Sequence, residues 1–111
     1  MIKPFKFVIY GETPAKKNRE WHDKAVQQLA LQWDLDSEPI ETKTAITLHF
    51  FHGDNRRRGS DNGTSSIFDT LQDAGILSDD CWQIIRKYKV INELCSKDDA
   101  RCEIEIMEIE E

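Results

Sequence analysis

Lys43-Thr44-Ala45-Ile46-Thr47-Leu48-His49-Phe50-Phe51 is a run of β-branched and aromatic residues in alternation. Such side chains fit a pleated, half-buried surface, so the run predicts a strand. Ile46, Leu48 and Phe50 share one face, and Ala45, Thr47, His49 and Phe51 share the other. Working outward, residues 5 to 9 alternate in the same way, with Phe5, Phe7 and Ile9 together and Lys6 opposite. Gly11 and Pro14 end that strand. Val8 and Tyr10 give its second face apolar character, which predicts an inner strand or a covered face.

Between these two strands, Asn18 can cap a helix running to about Trp33. Its apolar positions, Trp21, Ala25, Val26, Leu29, Ala30 and Trp33, fill one half of a helix at 100° per residue. Both tryptophans read as core packing. Downstream of the central strand, His52 to Gly63 is a turn-rich loop with three adjacent arginines, Arg56, Arg57 and Arg58. A second helix follows, to be capped by Asp61, Asn62 or Thr64, with Ile67, Phe68, Leu71 and Ala74 on one side and Gly75 to stop it. A third strand is expected around Trp82 to Ile91. Cys102, Ile104 and Ile106 alternate with Glu103 and Glu105 in a half-exposed last strand. The order strand-helix-strand-helix-strand-strand predicts an α+β fold in which two helices pack on a small mixed sheet of about four strands.

The chain has 111 residues, which corresponds to one domain spanning residues 1–111. It is 39% hydrophobic with three Trp, five Phe and two Tyr, enough apolar surface for one core. No apolar run approaches the roughly 20 residues that cross a bilayer. The Met1-Ile2-Lys3-Pro4 start lacks the apolar segment of a secretory signal. Three cysteines, Cys81, Cys95 and Cys102, are an odd number without a CxxC pair. They argue against a disulfide framework and against a zinc site, and predict a cytoplasmic protein. Net charge is −6, from 21 acids against 15 bases. The excess acids sit between Asp98 and Glu111, so the rest of the chain is near neutral with local basic clusters.

The densest cluster of chemistry runs from His52 to Asp80. Arginines that could hold phosphates are followed by Asp61-Asn62 at a helix start and Asp79-Asp80 after that helix ends. Carboxylates gather a divalent cation and arginines hold a nucleic-acid backbone, so these are the parts of a nuclease. Asp61 would equally serve as a helix cap, and Asp79-Asp80 as an ordinary polar loop. A helix from Asn62 to Ala74 spans about 20 Å, and six extended residues can return about as far, so Asp61 and Asp80 can meet. His22, His49 and His52 read as packing or surface residues, and Cys81 as a small buried one.

The stretch Arg57-Arg58-Gly59-Ser60-Asp61-Asn62, with Ile67-Phe68-Asp69-Thr70-Leu71-Gln72-Asp73-Ala74-Gly75-Ile76-Leu77-Ser78-Asp79-Asp80, resembles the signature of the RusA family of Holliday junction resolvases. That family carries Asp-x-Asp-Asn, a nearby lysine, an apolar helix with Asp-Ala-Leu, a Gly, then Asp-Asp before a strand. The spacing matches without a gap from Arg57 to Asp80. Gly11-Glu12-Thr13-Pro14-Ala15-Lys16-Lys17-Asn18-Arg19, the Lys87-Tyr88-Lys89 strand and the final strand continue the likeness over most of the chain. The resemblance implies a small homodimer that cuts four-way DNA junctions with Mg²⁺ or Mn²⁺ in phage-type recombination and repair. It implies Asp61 and Asp80 as metal ligands, Asp79 beside them in catalysis, and Arg56, Arg57, Arg58, Lys16, Lys17 and Arg19 on DNA. The chain departs from the pattern where the first motif aspartate falls on Gly59, the lysine on Ser65 and a usually apolar position on Gly63, and its loop after the first strand is short. Losing one carboxylate and one cation predicts a slowed enzyme. The alternatives are a homologue that binds junctions, or a protein partner, without cutting.

Overall fold

A computed structural model describes residues 3–34, 36–57 and 63–110. The elements are β1 (Phe5–Tyr10), α1 (Arg19–Gln32), β2 (Thr44–His52), α2 (Thr64–Asp73), β3 (Ile85–Leu94), a 3₁₀ turn (Lys97–Asp99) and β4 (Arg101–Glu108). The architecture is the expected α+β one, with two helices on a four-stranded mixed sheet. Strand order is β1-β4-β2-β3. The last strand therefore lies between the first two, antiparallel to both, while β2 and β3 run parallel. A parallel neighbour requires a crossover, and α2 supplies it.

Register follows from which residues are apolar. Phe7 faces Ile104, and Ile104 faces Leu48; Phe5 and Ile46 flank Ile106 in the same way, as Ile9 and Phe50 flank Cys102. These rows form the face that the helices cover. Ile9, Leu48, Cys102 and Ile106 are completely buried. Burying one such aliphatic side chain contributes about 1.5–3 kcal/mol. A slip of one residue would put Glu103 and Glu105 into that core, so the pattern allows one register. From the helix side Ala25, Leu29, Ile67 and Leu71 close the core, and Trp33 packs on Phe5 and Phe7 with ring centroids at 5.5 and 5.9 Å.

The helix boundaries have local causes. Asn18 caps α1 as expected, its Oδ1 accepting from Trp21 N at 2.9 Å. After α2, Gly75 turns the chain with φ +78°, a conformation that side chains with a Cβ resist. Ile76 N and Leu77 N then donate to Leu71 O, which folds the chain back beside the helix. Leu77 bridges to Ile40, just ahead of β2.

Three expectations need correction. The third strand begins at Ile85, not Trp82, because Ile84 N and Ile85 N both donate to Cys81 O and make residues 82–84 a turn. The cap position of α2 belongs to Gly63, which has no side chain to cap with, while Thr64 lies inside the helix. The other two expected caps, Asp61 and Asn62, are outside the described residues. Finally, β1 is an edge strand rather than an inner one, and Tyr10 is 68% exposed.

That edge is nevertheless closed. Gln32 Oε1 accepts from Val8 N at 2.8 Å, and Gln32 Nε2 donates to Val8 O at 2.8 Å. Gln28 Oε1 accepts from Tyr10 N at 2.8 Å. Two glutamine amides from α1 thus stand in for a neighbouring strand, a device that blocks edge-to-edge association. Replacing both (Gln28→Ala with Gln32→Ala) removes the three hydrogen bonds to β1. It is expected to lower the unfolding free energy by about 1–3 kcal/mol in a urea titration, and to speed aggregation seen by light scattering.

Candidate functional site

α2 is amphipathic, so its outer face must carry polar groups. Asp69 is one of them, half-buried five residues into the helix. The turn at Gly75 sends the chain back along this face until Asp80 comes level with Asp69. The Asp69 carboxyl is near enough to act on that of Asp80. Partial desolvation, then the charge of Asp69, then hydrogen bonding to Asp69 and Asp79 hold the Asp80 pKa above the ordinary carboxylate value. Asp79 also receives the Asp80 backbone N–H at 2.7 Å. Two crowded carboxyls of this kind are relieved by a proton or by a cation.

Cationic and polar groups adjoin Asp69. Lys17, Asn18, Arg19, Trp21 and His22 from the start of α1 line a cavity of about 360 Å³ with Ser66 and Asp69 of α2. Its two walls are tied by His22 Nε2 to Asp73 Oδ2 at 2.8 Å. Lys17 and Arg19 therefore stand beside Asp69, whereas Lys16 is exposed and is not part of the cavity wall.

A second arrangement holds the loops. β1 and β2 run in the same direction, each antiparallel to β4, so the loops after both leave the same end of the sheet. Glu12 joins them. Its Oε1 accepts from Gly53 N at 3.0 Å and its Oε2 meets His52 Nδ1 at 2.8 Å. His52 Nε2 meets Asn92 Oδ1 at 2.9 Å, which ties in β3 as well. His52 is therefore a half-buried junction between three elements. A Cβ on Gly53 would lie 2.8 Å from Lys97 Cα, so this crossing of chains has room only for glycine. Beyond it Arg56 N donates to Asp54 Oδ1 at 2.9 Å, and Arg56 and Arg57 are exposed.

At the start of α2, the Oγ1 atoms of Thr13 and Thr64 are buried without a partner. Thr13 lies against Gly63, where a Cβ would meet Thr13 Cγ2 at 3.1 Å and the Phe50 ring at 3.0 Å. Among the described cysteines none is paired. The Cys102 thiol sits in the core, where burial pushes its pKa far up, so it is inert.

The expected site is thus placed in part. Asp80 is brought to Asp69 of α2, which itself shares a cavity with Lys17 and Arg19. Asp61, Gly59 and Arg58 lie outside the described residues, so the proposed meeting of Asp61 with Asp80 does too. Ser65, at the position of the motif lysine, is exposed in the first turn of α2. Asp69 was missed as a candidate: within the helix it reads as one more polar position, and only the return of the chain gives it a partner. Among the described residues no group of three or more His, Cys, Asp or Glu side chains could hold a metal ion. A hard divalent ion bound through two carboxylates and water fits Asp69 and Asp80, since Mg²⁺ keeps several of its waters.

No family model matches the chain, and no curated protein matches it either.

Because the folded-state pKa of Asp80 is raised, stability falls as pH climbs from the ordinary carboxylate value through the raised one. Asp80→Asn removes that penalty. Thermal melts without metal are expected to show the variant roughly 1–2 °C more stable at pH 7 and no more stable below pH 4. Equal melting temperatures at pH 7 would contradict the carboxyl pairing.

Proposed function

We propose that this chain is a RusA-like endodeoxyribonuclease that nicks four-way DNA junctions as a homodimer with Mg²⁺ or Mn²⁺, at reduced turnover. The observation that supports the reading is the Asp69–Asp80 pair, of which Asp69 lines a cavity with Lys17 and Arg19. Phosphodiester hydrolysis needs clustered carboxylates with cations close by, and this is where the chain provides both.

Asp80 and Asp69 would hold the ion, with Asp79 orienting the Asp80 segment and Asp61 as a further ligand. When bound, the ion activates water and screens the scissile phosphate. Lys17 and Arg19 lie on the approach to the acidic pair and hold the DNA backbone. Arg56, Arg57, Arg58 and Lys16 extend that grip along loops at one end of the sheet. These contacts are to phosphate, so they give affinity and register rather than base preference.

A second reading is favoured by Gly59 and Ser65, which remove a carboxylate and a cation from the motif. In it the dimer binds junctions without cutting them.

A synthetic four-way junction separates the two. With Mn²⁺ the native chain is expected to nick it, and Asp80→Asn and Asp69→Asn each to slow nicking by at least about a hundredfold. Gly59→Asp with Ser65→Lys is expected to raise the rate. A retarded but uncut junction establishes the binding reading. Lys17→Ala should then weaken binding and reduce the steepness of its salt dependence by about one phosphate contact. No retardation at low salt eliminates both readings.

A further inference from the structure

The two edges of the sheet are treated differently. β1 is closed by Gln28 and Gln32. β3, at the other edge, is ten residues long, and among the described residues nothing pairs with its outer side. It also exposes two large apolar side chains, Tyr88 at 55% and Leu94 at 59%. A long open edge with apolar side chains is a template for another strand.

The side chains of β3 specify which strand. Pairing with β2 puts Tyr88, Val90, Asn92 and Leu94 on the helix-covered face, and Lys87, Lys89, Ile91 and Glu93 on the open face. The strand is thus basic toward its start and acidic toward its end. An antiparallel copy of the same strand reverses that order. With the two-fold axis at Ile91, Ile91 meets Ile91 of the second copy, Lys89 meets Glu93 twice, and Tyr88 meets Leu94 twice. Moving the axis to Lys89 sets like charges against each other, and moving it to Glu93 does the same. An axis at Val90 pairs Lys87 with Glu93 but sets Lys89 against Ile91 and Arg86 against Leu94. Only the Ile91 axis sets the exposed Tyr88 and Leu94 against each other while it pairs Lys89 with Glu93, contacts that stabilise a sheet, with Val90 then facing Asn92. Lys89 forms no ion pair with a described residue, while Glu93 Oε1 lies 3.3 Å from His49 Nε2 and is still 57% exposed.

We infer that β3 pairs with β3 of a second copy, antiparallel about Ile91, to make one eight-stranded sheet with all four helices on one face. This gives the homodimer of the proposed function a specific interface and rests on that reading only for its use. The start of β3, which Asp80 precedes, would then lie at opposite ends of the joined strands, about 40 Å apart at 3.3 Å per residue. Two separated acidic sites suit two nicks on one branched substrate.

Sedimentation equilibrium of the full chain without DNA tests the interface independently of any nuclease activity. The native chain should be dimeric. Lys89→Glu or Glu93→Lys, both exposed positions, should weaken association at least tenfold with unchanged circular dichroism. The double variant Lys89→Glu with Glu93→Lys should restore it, and a mixture of the two single variants should form heterodimers. A monomeric native chain overturns the inference. So does a dimer that ignores all three variants, although the nuclease reading would then survive with its interface elsewhere.

Discussion

Insertion of β4 between β1 and β2 is the constraint on which the rest of this fold depends. The inward side chains of this strand, Cys102, Ile104 and Ile106, touch both neighbours and are 0–2% exposed. Without it β1 and β2 share no hydrogen bonds, and the core rows have no middle. The same strand makes β1 and β2 point the same way, which brings the loops after them to one end of the sheet. The bridge of Glu12 to His52 and Gly53 then has something to join. The alternation of acid and apolar residues in β4 keeps its opposite face in contact with charge. There Arg101 lies 3.9 Å over the Phe51 ring and bonds Glu103 at 2.8 Å.

The acidic pair is a consequence of how α2 ends. Gly75 allows the reversal, and Ile76 and Leu77 anchor it because they are apolar and buried against the helix. Asp79 and Asp80 are then carried onto the polar face of α2. Bringing like charges together raises the Asp80 pKa and costs folded-state stability. Proteins commonly carry such local conflict where a ligand resolves it. Lys17 and Arg19, which line a cavity with Asp69, come from the segment that opens α1, some fifty residues earlier, held there by the packing of α1 on α2.

The two sheet edges show how the same hazard meets different treatments. In β1 the exposed N–H and C=O groups are occupied by glutamine amides. In β3 the lysines at 87 and 89 and the glutamate at 93 restrict rather than forbid pairing, because they accept a neighbour only in a register that opposes unlike charges.

Periodicity by itself determined the elements. Period-two alternation marked β1, β2 and β4, Asn18 marked the start of α1, and Gly75 marked the end of α2, because each of these is local backbone chemistry. The fold class and element order followed. Tertiary structure alone decided the strand order, which made an edge of β1 although Val8 and Tyr10 read as covered residues. It decided that Trp82 belongs to a turn, since the hydrogen bonds of Ile84 and Ile85 to Cys81 compete with strand pairing. It also decided that Asp69 is the partner of Asp80, and that His52 is held between Glu12 and Asn92. These contacts join residues eleven to forty positions apart, and no local pattern encodes which distant side chain a carboxyl or an imidazole will meet.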